Sequence, residues 1–178
     1  MTAVVLGLGS NKSLCIKNKV LTPDKILDKA CSELKKHIKK LRRSSIYITK
    51  PMYVEEQADF FNMAVLGYYD GPPRELLNLI HTIETRYGRD RSLETFKGPR
   101  TLDIDIELFG DMTVCEQTTP DPLYIPHPLI SERQFVLVPL LEILNDSAES
   151  IIDRQKYEQM LAKLPDQGVR LWKSSRKH

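Results

Sequence analysis

An α+β fold, a mainly antiparallel sheet flanked by helices, is predicted by three observations. β-prone apolar runs stand at 4–8, 44–49, 60–69 and 102–108. Apolar residues at helical spacing fill 23–40 and 73–87, between those runs. The resulting order, β-α-β-β-α-β, is the ferredoxin-like split β-α-β pattern. The expected organisation is one domain over residues 1–173, followed by a basic tail at 174–178 expected to be disordered.

Each element has a local reason. Val4 to Leu8 is short and apolar and reads as a buried strand, ending in a Gly9-Ser10-Asn11 turn. Lys12 to Leu21 lacks periodicity and reads as a loop. Thr22-Pro23-Asp24 starts a helix with a hydroxyl at the cap and proline at the first position. Its inner stripe is Leu27, Ala30, Cys31, Leu34, Ile38 and Leu41, which carries the helix to about Lys40. Ser44 to Thr49 is the second strand, broken by Lys50-Pro51. Phe60 to Tyr69 is the third, with Phe60, Asn62, Ala64 and Leu66 on one face. The second helix runs from Pro73 to Tyr87 and Gly88 closes it. Arg89 to Lys97 is polar and reads as a mobile loop whose arginines close over anions. Further on, prolines flank His127, Ser131 caps a helical segment that Pro139 interrupts, and Ile151 to Leu164 holds a last helix. That helix turns Tyr157, Met160, Leu161 and Leu164 inward. Val169 to Trp172 is a short final strand.

The stretch from Leu102 to Leu108 carries the chemistry. Leu102, Ile104, Ile106 and Leu108 point one way, and Asp103, Asp105 and Glu107 the other. Neighbouring carboxylates on that face stand only about 7 Å apart and repel each other. A divalent cation removes the repulsion, and oxygen-only ligands suit Mg²⁺. Gly98-Pro99 turns the chain just before, and Arg100 follows the turn. Carboxylates beside an arginine turn suit a metal-bridged phosphate. An edge strand with a solvated acidic face is the competing interpretation.

Composition sets the frame. With 178 residues, 41% hydrophobic and 28% charged, the chain is long enough for a real core. A net charge of +2 argues neither for nor against nucleic acid. Three cysteines, an odd number with no C-x-x-C pair, speak against disulfide scaffolding and a zinc site. No apolar run approaches a membrane-spanning length and no signal peptide is visible, so a cytoplasmic location is expected.

Taken together, the motifs resemble one family. They are Gly9-Ser10-Asn11, Phe60-Phe61-Asn62, Gly88-Arg89-Asp90-Arg91, Gly98-Pro-Arg-Thr-Leu-Asp-Ile-Asp105, Ile125-Pro-His127 and Arg133-Gln-Phe135. In this order, from about residue 3 to 145, they closely resemble 6-hydroxymethyl-7,8-dihydropterin pyrophosphokinase, a family of folate biosynthesis. The resemblance implies transfer of pyrophosphate from MgATP to the pterin hydroxymethyl, with AMP as the other product. It implies that Asp103 and Asp105 hold two Mg²⁺ ions, with Arg89, Arg100 and His127 completing the catalytic set. It places ATP against His81, Glu84, Arg91, Arg100, Ile106, Tyr124, His127 and Arg133. It places the pterin between the Phe60 and Phe135 rings, against Asn62 and the backbone of Thr49 and Met52. ATP and reduced pterin would be the partners, with neighbouring folate-pathway enzymes, and neither nucleic acid nor membrane.

The chain departs from the family pattern at His81, where glutamine is common, and at Lys50, where proline is usual. The aromatic expected before Gly98 is displaced to Phe96 or absent, since Lys97 fills its place. Two alternatives stay open: a ferredoxin-like nucleic-acid-binding module and a catalytically inert relative. The sheet lacks a basic-aromatic RNA-binding pattern, and the intact aspartate pair argues against inertness.

Overall fold

The computed structural model describes residues 1–52, 56–90, 98–117, 120–144 and 152–173. In chain order the elements are β1 (Thr2–Ser10), β2 (Leu14–Ile16), β3 (Lys19–Leu21), α1 (Pro23–Leu34), β4 (Lys39–Arg43), β5 (Tyr47–Thr49), β6 (Phe60–Tyr69) and α2 (Pro73–Arg86). Then come β7 (Asp103–Phe109), β8 (Val114–Glu116), β9 (Leu123–Ile125), a 3-10 turn (Ile130–Glu132), α3 (Gln134–Ile143), α4 (Arg154–Ala162) and β10 (Arg170–Leu171). The main sheet runs β10-β5-β6-β1-β7, with β4 also on β6, and every pairing in it is antiparallel. The expected α+β sandwich is therefore observed, with the central strands in the ferredoxin-like arrangement.

The sheet has two differently covered faces. One packs Val4, Leu6, Met63, Val65, Ile104 and Ile106 against Leu27, Ala30 and Leu34 of α1 and Leu76, Ile80 and Ile83 of α2. The other packs Val5, Ala64, Leu66 and Leu108 against Val136, Leu137 and Leu140 of α3 and Tyr157 of α4. This second cover protects only part of its face. Beyond it the same rows continue as Gly7 and Gly9 on β1, Asn62 and Phe60 on β6, and Asp105 and Asp103 on β7. On β1 and β6, strand alternation thus carries one side-chain row from core to open sheet without a change of element.

Several expectations need correction. Lys12 to Leu21 is a hairpin, β2 and β3, turned at Lys17 and Asn18, both in the left-handed region. The first helix stops at Leu34. Ile38 stays buried, but it does so from the turn leading into edge strand β4. Thr22 Oγ1 donates to the Asp24 carboxylate instead of capping a helix N–H. Gly9 and Ser10 are strand, not turn. Pro139 sits inside α3 without breaking it. A single proline removes one helical hydrogen bond, and the buried stripe either side of it outweighs that loss.

The alternation of β7 also breaks. Leu6 pairs with Ile106 but Val5 pairs with Leu108, so Glu107 is one residue too many. This β-bulge turns Glu107 and Leu108 toward the same face. Leu108 joins the α3 core instead of continuing the row of Ile104 and Ile106. The 91–97 loop and the 174–178 tail lie outside the described residues.

Candidate active site

The open half of the sheet floors a cavity of about 250 Å³. Its walls include Thr49, Met52, Phe60 and Asn62 on one side and Arg133 and Phe135, at the start of α3, on the other. Asn62 is buried and donates through Nδ2 to Thr49 Oγ1 at 2.8 Å, which leaves its carbonyl oxygen facing Gly9. Arg133 lies 5.5 Å from the Phe135 ring centroid, within cation–π range. A second cavity, of about 210 Å³, opens on the other side of β7, among His81, Ile106, Asp121, Tyr124 and His127. Asp105 lines both.

At the seam sits a network of charges. Arg89 donates to Asp103 Oδ1 at 2.5 Å and to Glu84 Oε1 at 2.5 Å, while Arg100 takes Asp103 Oδ2. Glu84 also accepts from Ile104 N–H at 2.8 Å and is almost fully buried. Its carboxylate braces Arg89. Gly88, at φ +80°, ends α2 and lets the Arg89 N–H turn back onto the Glu84 carbonyl at 3.0 Å.

The strand end fixes Arg100. Asn11 N–H and Lys12 N–H both donate to the Arg100 carbonyl at 3.0 Å, and Asn11 Oδ1 accepts from Arg100 N–H at 2.7 Å. Ser10 Oγ donates to the Thr101 carbonyl at 2.5 Å. The Gly9-Ser10-Asn11 motif is therefore a clamp on the arginine turn. Among the described residues, the buried Nε atoms of Arg100 and Arg133 have no hydrogen-bond partner. Each is a donor with nothing to bind.

Electrostatics separates the two aspartates. Burial pushes the Asp103 carboxyl up, but the Arg89 and Arg100 guanidiniums outweigh it and hold Asp103 below its ordinary range. Asp105 is helped less, by Arg133 at 3.8 Å and by the more distant Arg100. Burial and then the charge of Asp103 push it up to about 7. That crowding is what a cation relieves. No cluster of three or more histidine, cysteine or acidic side chains suited to a metal occurs among the described residues. Two carboxylates thus fit a hard cation that draws its other ligands from phosphates and water.

His127 has a defined tautomer. Leu129 N–H donates to its Nδ1 at 3.2 Å, so the proton sits on Nε2. Burial, then the Arg133 charge, lowers its pKa to about 4. Its ring resonances are expected to stay those of neutral imidazole from pH 8 down to 5.5. An NMR titration with a midpoint near the ordinary value of about 6.5 would contradict this. Cys31, by contrast, is a packing thiol. Burial pushes it up to about 11, and it rests on Met63 Sδ at 3.7 Å.

The resemblance thus selects residues that meet in space: Thr49, Met52, Phe60, Asn62 and Phe135 around one cavity, His81, Ile106, Tyr124 and His127 around the other. Arg91 lies outside the described residues. Sequence reasoning missed Gly7, Gln57 and Val136 on the first cavity and Asp121 on the second. It also left Glu107 without a role.

A model of the 7,8-dihydro-6-hydroxymethylpterin-pyrophosphokinase family matches residues 5–145. The chain belongs to this family. Among relatives of this pyrophosphokinase, the Bacillus subtilis 2-amino-4-hydroxy-6-hydroxymethyldihydropteridine pyrophosphokinase is 42% identical over 130 residues, covering 73% of this chain and 70% of that protein. The Helicobacter pylori protein of the same name is 40% identical over 139 residues, 77% of this chain and 78% of its own length. An Arabidopsis thaliana folate synthesis bifunctional protein is 37% identical over 142 residues, which is 79% of this chain but 27% of that longer one. The crystal structure of a Plasmodium falciparum HPPK-DHPS variant with pterin and p-hydroxybenzoate matches with a TM-score of 0.63. At 15% identity, covering 90% of this chain and 44% of that one, it supports the fold alone. No helix among the described residues is long and apolar enough to cross a membrane.

Proposed function

We propose that this pyrophosphokinase moves the β,γ-pyrophosphoryl group of MgATP onto the hydroxymethyl of 6-hydroxymethyl-7,8-dihydropterin, releasing AMP, with the roles that follow. The observation that carries the reading is the meeting of two cavities at Asp105. One is walled by aromatic rings and an amide, the other by His81 and His127 with Ile106 and Tyr124. A flat heterocycle fits the first and a nucleotide the second. The reacting atoms then fall at the seam, where the arginines and carboxylates stand.

The pterin lies between Phe60 and Phe135, each stack contributing about 0.5–1.5 kcal/mol beyond burial. Asn62 and the backbone of Thr49 and Met52 read its polar edge. Adenine sits against the backbone of Ile106 and Tyr124, near His81. The Nε2–H of His127 and the spare donors of Arg100 and Arg133 hold phosphate oxygens, fixed in place before substrate arrives. Arg89 stabilises charge that develops on the transferred group. Asp103 and Asp105 would hold two Mg²⁺ ions, which supply charge neutralisation across the phosphates. Neighbouring folate-pathway enzymes are partners on this reading, as the longer bifunctional relatives suggest.

The test is the nucleotide product. Protein, ATP, Mg²⁺ and 6-hydroxymethyl-7,8-dihydropterin are mixed, and AMP is separated from ADP. AMP that depends on both pterin and metal is expected. ADP would mean an ordinary kinase, and no turnover with ATP bound would mean an inert relative.

A further inference from the structure

One group at the site has no role in this scheme. Glu107 is 1% exposed and lines the larger cavity, and neither of its carboxyl oxygens has a hydrogen-bond partner among the described residues. The period-two row of β7 puts it there, two residues beyond Asp105, and the bulge beside it brings Leu108 to the same face. Space has been left for it as well. A Cβ on Gly7 would stand 2.7 Å from Glu107 Oε1, so the carboxyl lies across the bare backbone of β1. Two residues along the same face, a Cβ on Gly9 would stand 3.4 Å from Asn62 Oδ1. Two side-chain acceptors therefore hang over two glycines about 7 Å apart along one strand.

A buried carboxyl with no partner is costly, and native proteins keep few of them. The atoms that complete it must be donors that come and go with the ligand. We propose that Glu107 is a substrate-binding residue that accepts a ring N–H of the reduced pterin, opposite the end read by Asn62. This inference rests on the pterin reading of the cavity. The ligand chemistry follows from the page: a flat ring laid on Gly7 and Gly9, bearing N–H donors at separated positions. A carboxyl keeps an accepting oxygen in either ionisation state, so the contact does not depend on its charge.

The test is pterin affinity measured by calorimetry with a non-hydrolysable ATP analogue and Mg²⁺ present. Glu107→Leu is expected to weaken pterin binding roughly tenfold or more, and Glu107→Gln by less, because the amide keeps one acceptor. Affinity for the ATP analogue should stay within about twofold in both. Glu107→Leu binding pterin as tightly as the parent protein would overturn the assignment, as would a parallel loss of nucleotide affinity. If Glu107→Leu does not fold, infrared difference spectra decide the matter. The carboxyl band that Glu107→Gln removes should shift when pterin is added to the parent protein, and an unmoved band would overturn the proposal. A parent protein that binds no pterin would remove the underlying reading and the inference together.

Discussion

Asp105→Asn is expected to lower turnover by roughly 10³-fold or more while the fold stays intact. Asp105 is the one carboxylate shared by both cavities. It is also the one that carries no strong ion pair, since Arg133 is 3.8 Å away whereas Asp103 is gripped by two arginines. A folded-state pKa near 7, against about 3.8 unfolded, marks Asp105 as a group that opposes folding at neutral pH. The sign is fixed by the direction of the shift. A raised carboxyl adds nothing below the unfolded pKa and destabilises increasingly as pH rises toward 7. Removing its charge should therefore leave the melting temperature unchanged or higher. Manganese titration followed by electron paramagnetic resonance should show loss of tight metal uptake. Near-normal kcat, or undiminished metal affinity, would sink the metal assignment. Asp103→Asn should also abolish turnover, but with loss of stability, because two guanidiniums lose the carboxylate charge and one of its two acceptor oxygens.

Arg89→Ala is the second large effect, and it is double. Chemistry should slow by roughly 10²–10³-fold if Arg89 stabilises developing charge. Stability should also fall, by about 3–5 kcal/mol, because the buried Glu84 and also Asp103 lose the Arg89 guanidinium. The two losses can be separated. Glu84→Gln combined with Arg89→Ala removes one of the two carboxylates that Arg89 served and should recover part of the urea midpoint without recovering kcat. A double variant that regained activity would show that Arg89 serves only the fold. A single variant that weakened ATP binding with kcat unchanged would remove its transition-state role.

What the sequence disclosed depended on whether the determining force was local. The bounds of β6 match the apolar run that predicted them, and α2 falls one residue short of its prediction at the Gly88 stop. Both elements follow from pattern and turn chemistry within their own segments. The end of α1 did not show itself, because Lys35 to Lys40 are acceptable in a helix and Ile38 keeps the period. Pairing of β4 with β6, a tertiary contact, ends it. The hairpin at 12–21 was hidden because its turn uses Lys17 and Asn18 at positive φ instead of glycine. The carboxylates, arginines and stacking rings were legible through a string of motifs in fixed order. Alternation put Glu107 on the aspartate face but could not show its burial, which depends on Gly7 of β1, a hundred residues upstream.

The place of β1 has a consequence for synthesis. It comes first in the order of the fold and lies inside the sheet, between β6 and β7, yet its partners are residues 61–69 and 103–109. At about 5–20 residues per second on the ribosome, its second edge waits roughly 5–20 s for β7 to be made. Throughout that time Ala-Val-Val-Leu-Gly-Leu, a sticky hexapeptide, has at least one bare flank. A nascent chain stalled before Asp103 would expose a ready template for intermolecular pairing, so yield in cells should respond to holdase chaperones and to codon speed between β6 and β7.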